Sequence, residues 1–173
     1  VLFLTGGNWR DDFWAAGGSL VRNGIASPNC SPNAKRKSNP MRYLLDTTAL
    51  LAHYRQEPGW EAVQALLEDT AAEITLASPS ITEFSRRMHD LGADDSAIQH
   101  ILDEYRLLFD NVVAIDGATA TAAYRLTRQA LSPIPLTDSL IAAAAQMDSA
   151  VLVHRDRHMA AIPSEVLKQQ ILG

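Results

Sequence analysis

From residue 41 onward, short apolar runs alternate with amphipathic stretches, and an acidic residue stands at or just past several of the junctions. This alternation constrains the fold more than any other feature, because serial β-α units bury a parallel sheet between two layers of helices. Residues 43–46 read as a buried strand, followed by a helix from about Thr48 to Tyr54. Pro58-Gly59 breaks the chain, and residues 60–71 form an amphipathic helix with Val63, Leu66 and Leu67 on one face. A second strand is expected over 74–77, and Ser78-Pro79 then opens a helix that runs through Glu83 to about Asp90. Asp94 or Asp95 caps a helix extending to Phe109, with Ile98, Ile101, Leu102 and Tyr105 inward. A strand over 112–115, a helix over 117–131, a helix over 138–148 capped by Thr137 and a strand over 150–153 follow. Residues 165–171 are expected to form a helix or a last strand.

Four acids lie at or just past these junctions. Asp46 ends the run Tyr43-Leu44-Leu45, Glu83 sits in Ser78-Pro79-Ser80-Ile81-Thr82-Glu83-Phe84, Asp138 follows Pro135-Leu136-Thr137, and Asp156 follows Val151-Leu152-Val153 after two residues. Residues at the carboxyl ends of parallel strands converge on one edge of an α/β sheet, where such folds bind ligands. Carboxylates gathered there repel one another unless a cation joins them, and an all-oxygen site suits Mg²⁺ or Mn²⁺.

Each acid taken alone has an ordinary reading. Asp46 serves equally well as an N-cap, with Thr48 either ordering its carboxylate or merely satisfying the turn. Glu83 is a normal acid near a helix start, and Asp156, between Arg155 and Arg157, is a normal surface ion-pair partner. Asp138 is harder to explain this way, since it opens the nearly all-apolar run Leu140-Ile141-Ala142-Ala143-Ala144-Ala145. The joint arrangement carries the argument. Arg86, Arg87, Arg155 and Arg157 are candidate phosphate contacts or equally solvated surface. His53, His89, His100, His154 and His158 show no HExxH-like spacing and read as surface or partly packed residues; zinc is not expected.

The blocks 43–51, 78–84, 136–143 and 151–157 resemble, in order and spacing, those of a PIN domain of the VapC toxin type. The resemblance covers essentially all of residues 41–173 and none of 1–40. It implies a three-layer α/β sandwich with a central, mostly parallel sheet of four to five strands. It also implies Mg²⁺ or Mn²⁺, cleavage of single-stranded regions of RNA such as tRNA or rRNA, homodimers, and inhibition by a cognate antitoxin. Carried over position by position, Asp46, Glu83, Asp138 and Asp156 become the metal-binding acids and Thr48 the supporting hydroxyl. The family often has a small hydroxyl residue where this chain has His154.

Residues 1–40 read differently. They hold five of the nine glycines and three of the eight prolines, without sustained periodicity. Met41-Arg42-Tyr43-Leu44-Leu45-Asp46 reads like a natural start, so 1–40 is expected to be a poorly ordered extension or tail without chemistry. The segment carries a balance of +3, against −8 for residues 41–173. An acidic body lacks the basic stripe of a duplex-DNA binder. The hydrophobic content of 47% suffices for a core, and the longest apolar stretch, residues 140–145, is far short of a membrane span. A single cysteine, Cys30, fits a reducing, cytoplasmic setting.

Three readings compete with a ribonuclease toxin: a housekeeping PIN-domain nuclease, a non-catalytic PIN-like binding module, and a haloacid-dehalogenase-type phosphatase. The last needs a second aspartate two residues after the first, where Thr48 stands. Retention of all four acids argues against the binding module. The amphipathic helices 60–71 and 94–109 offer apolar surface for an antitoxin, or are simply core helices.

Overall fold

A computed structural model describes residues 40–173. The expectation of low order over residues 1–40 falls, apart from Pro40, outside the described residues. The described chain forms strands β1 (Met41–Leu45), β2 (Ala72–Ala77), β3 (Asn111–Val113), β4 (Val151–His154) and β5 (Gln169–Ile171). Six helices join them: α1 (Thr47–Arg55), α2 (Trp60–Glu68), α3 (Ser78–Asp90), α4 (Asp95–Arg106), α5 (Gly117–Thr127) and α6 (Leu136–Met147).

The strands make one five-stranded sheet of order β3-β2-β1-β4-β5. Every pairing is parallel, so the mostly parallel sheet expected from the sequence is wholly parallel. Neighbouring residues on a strand face opposite sides of the sheet, and the two cores divide accordingly. Leu45, Leu76 and Val153 join one cluster with Leu50, Val63, Phe84, Met88, Ile98 and Tyr105. Leu44, Ala77 and Leu152 join the other with Leu126, Ile141, Ala142 and Met159. Helices α1 to α4 therefore cover one face and α5 and α6 the other. The inward faces of α2 and α4 are core, including Leu67, Ile101 and Tyr105.

Several boundaries differ from expectation. The helices expected to reach residues 71, 109 and 131 stop at Glu68, Arg106 and Thr127. Asp94 is the cap of α4, its carboxylate accepting the Ala97 N–H. Thr137 does not cap α6: Pro135 holds the N-cap position with extended backbone, and Thr137 already lies in the first turn. Proline's fixed φ lets the helix begin two residues earlier than a threonine cap would. Asp138 thus becomes the third helical residue, beside the positive end of the helix dipole. The tail resolves as a strand, with Gln169 paired to Leu152 and Ile171 to His154.

Gly59 opens α2 at φ 91°, and a Cβ there would meet the Leu172 Cβ at 2.8 Å. The Pro58-Gly59 break thus also lets the C-terminal strand region pack closely. Among the described residues, no helix is long and apolar enough to cross a membrane.

Candidate functional site

The chain runs from β1 outward through β2 to β3, then returns to lay β4 on the other side of β1. The boundary between β1 and β4 is a topological switch point, where α/β sheets open a crevice at their carboxyl edge. The Asp46 N–H donates to the Val153 carbonyl at 2.9 Å and ties the two strand ends together. A pocket of about 330 Å³ opens beside them, lined among others by Asp46, Thr48, Glu83, Asp138 and Asp156. The structure therefore brings all four acids singled out in the sequence, and the threonine, to one cavity.

Asp46 is buried, 2% exposed. As the N-cap of α1 its Oδ2 accepts the Thr48 N–H at 3.0 Å and the Thr48 hydroxyl at 2.6 Å. Capping and site formation are thus compatible readings of one residue. The Thr48 Oγ1 in turn accepts the Arg155 N–H at 2.9 Å, fixing the loop after β4 against the end of β1. Glu83 is held by a residue the sequence reading passed over: the Thr47 hydroxyl donates to Glu83 Oε2 at 2.7 Å. The consecutive threonines after Asp46 were the available signal, each orienting a different carboxylate.

Asp156 begins the turn after β4, its Oδ1 accepting the His158 N–H and Nδ1. His158, read from the sequence as a surface or partly packed residue, stands beside two of the acids. Its Nδ1 lies 3.0 Å from Asp156 Oδ1 and 3.8 Å from Asp138 Oδ2, at the edge of the acidic cluster. The i to i+2 spacing from Asp156 was visible, but only the turn geometry gives it meaning.

His53 and His154 correct the expectation of surface or partly packed histidines, being 1% and 0% exposed. His154 Nε2 bonds Gln169 Oε1 at 2.7 Å, and its Nδ1 accepts the Asp156 N–H at 3.1 Å. The imidazole at the end of β4 thus holds the following turn. Of the four arginines, Arg86 and Arg87 line the pocket. Arg155 pairs with Glu57 at 2.9 Å, and neither it nor Arg157 lines the cavity.

Burial first, and then neighbouring charge, raises two of the four acids. The Asp138 carboxyl is pushed up to about 6, first by burial and then by the charges of Asp156, Asp46 and Glu83, with His158 opposing. Burial also pushes the Asp46 carboxyl above its ordinary value, against the bonds from Thr48, with Glu83 adding to the rise. Burial and neighbouring charge thus disfavour the ionised states of Asp138 and Asp46 until a cation offsets them. Carboxylate oxygens are the donors a hard divalent cation takes, so the residues present fit a metal.

The sequence model of the PIN domain matches residues 43–165, most of the chain. The chain belongs to the PIN domain family. Among curated protein sequences, none matches it. Solved structures similar to this PIN domain include VapBC2 from Rickettsia felis bound to a promoter DNA fragment, with TM-score 0.62 and 19% identity over 77% of this chain and 100% of that one. DNA-bound VapBC from Salmonella typhimurium gives a TM-score of 0.61 at 16% identity, covering 76% and 98%. VapBC-1 from nontypeable Haemophilus influenzae gives 0.59 at 18%, again over 76% and 98%. These neighbours are VapC toxins of toxin–antitoxin complexes, and at such identities the likeness shows the shared fold.

Proposed function

We propose that this PIN domain is a metal-dependent endoribonuclease, the toxin of a toxin–antitoxin pair. The observation that carries the reading is the convergence of Asp46, Glu83, Asp138 and Asp156 on one pocket at the switch point of the sheet. In this reading the four carboxylates hold Mg²⁺ or Mn²⁺. A bound divalent ion supplies a water of lowered pKa and neutralises charge developing on the scissile phosphate.

The chain's own residues do the rest. Thr48 and Thr47 orient Asp46 and Glu83, so that two ligands are fixed before substrate arrives. Arg86 and Arg87, on the same helix as Glu83 and on the pocket wall, hold the phosphates flanking the cleaved bond. Attack by water on phosphorus, with departure of the ribose 3′-oxygen, leaves a 5′-phosphate and a 3′-hydroxyl. Asp138, with a carboxyl near 6, is ionised at neutral pH and available as a ligand.

The toxin assignment extends the likeness to VapBC complexes, and an RNA such as tRNA or rRNA is the substrate it suggests. A homodimer and a cognate antitoxin need apolar surface outside the core. Tyr124, Leu131 and Leu136, each more than two-thirds exposed around the α5–α6 connection, supply some. Induction of the chain in a bacterial host tests the assignment. Growth should stop, and should resume either with Asp46→Asn or on co-expression of a small neighbouring gene product. Undisturbed growth at high expression of folded protein would contradict the toxin reading and favour a housekeeping nuclease.

A further inference from the structure

One nitrogen donor, His158 Nδ1, stands beside two of the carboxylates. Asp138, Asp156 and His158 each offer a ligand atom, and the three atoms lie within 4.8 Å of one another. Adjacent ligands of an octahedral ion with bonds of about 2.1 Å sit about 3.0 Å apart, from the bond length times the square root of two. His158 Nδ1 is 3.0 Å from Asp156 Oδ1, a hydrogen-bond distance that equals the adjacent-ligand spacing, and 3.8 Å from Asp138 Oδ2, between the adjacent spacing and the roughly 4.2 Å of opposite ligands. The turn that places it is well fixed: Asp156 Oδ1 also accepts the His158 backbone N–H, and Met159 just beyond is fully buried.

We propose that His158 Nδ1 is a direct ligand of the cation held by Asp138 and Asp156, and that it biases this site toward Mn²⁺ over Mg²⁺. The proposal rests on the metal-site reading above. Mg²⁺ takes oxygen ligands and gains little from an imidazole, whereas Mn²⁺, a first-row transition ion, accepts a nitrogen donor among its oxygen ligands more readily than Mg²⁺ does. His154, the other histidine near Asp156, is no competitor: its Nδ1 lone pair accepts the Asp156 N–H and its Nε2 bonds Gln169, whereas His158 Nδ1 faces a carboxylate and is freed for a cation when its proton sits on Nε2. His158 is half-buried, its side chain 37% exposed, so replacing it removes a donor without opening the core.

Pulsed electron paramagnetic resonance of Mn²⁺ bound to the whole chain tests this directly, with Mn²⁺ and Mg²⁺ affinities measured beside it by calorimetry. The expected result is nitrogen modulation from a directly bound imidazole in the wild type, lost in His158→Gln. The same substitution should lower Mn²⁺ affinity about tenfold, the scale of losing a group that supports a metal site, and change Mg²⁺ affinity much less. Bound Mn²⁺ without nitrogen modulation, or modulation that survives in His158→Gln, would overturn the ligand assignment and leave the carboxylate site standing. Failure of the folded wild type to bind Mn²⁺ at all would overturn the metal-site reading and this inference with it.

Discussion

The Thr48 hydroxyl donates to Asp46 Oδ2 at 2.6 Å while accepting the Arg155 N–H at 2.9 Å, so one side chain joins the end of β1 to the loop after β4. The carboxylate at the centre of the site is thereby aimed by its own helix cap. This predicts a functional cost out of proportion to the size of the change. Thr48→Val, which removes the hydroxyl and keeps the shape, should lower metal-dependent RNA cleavage about 10- to 100-fold. Thr48→Ser should recover most of the rate. Initial rates at saturating metal, with melting temperatures recorded alongside, check both.

Thr47 plays the corresponding part for Glu83. Because Thr47 is buried and valine matches its shape, Thr47→Val should fold and yet bind a divalent cation about tenfold more weakly. Calorimetric titration with Mn²⁺ reads the effect. Unchanged affinity would place Glu83 outside the metal site.

Asp138 predicts a pH dependence in the metal-free protein. Its folded-state carboxyl titrates at about 6, above the ordinary value of 3.8. Between those values the folded state binds more protons than the unfolded state, so stability falls as pH rises through the window and stays lower above it. Asp138→Asn should therefore melt higher than wild type near pH 7 in EDTA, with the gap closing below about pH 4. Added Mg²⁺ or Mn²⁺ should raise the wild-type melting temperature more than the variant's.

A second polar network lies away from the pocket. Buried His53 bonds Tyr105 through Nδ1 at 2.7 Å and Gln64 through Nε2 at 2.6 Å. Tyr105→Phe should cost about 1–3 kcal/mol of stability by stranding a ring nitrogen, with cleavage per folded molecule unchanged. Burial also holds the His53 imidazole below its ordinary value of 6.5. The unfolded chain then takes up the proton first, so this contribution to stability is lost as pH falls below about 6.5. Denaturant titrations of wild type and variant over that range measure both effects.

Much of this was legible in the sequence because it is local. Leu44 and Leu45, or Leu152 and Val153, declare buried strands by composition, and the acids after them gain meaning from the parallel topology those strands require. What was hidden depends on distant partners. Gln169-Gln170-Ile171 has no strong strand signature and becomes one by pairing with β4. His154 is buried because Gln169, fifteen residues on, satisfies its ring. His158 enters the site through a turn that places it near Asp138, twenty residues earlier in the chain. The early start of α6 turned on Pro135, a cue that competed with the stronger capping preference of Thr137.

Digestion of total RNA by the purified chain, in Mg²⁺ or Mn²⁺ against EDTA and beside Asp46→Asn, tests the central claim most directly. The account predicts fragments with 5′-phosphate ends that appear only with metal and vanish in the variant. Cleavage that persists in EDTA, or in folded Asp46→Asn, would contradict a carboxylate-held metal as the source of activity.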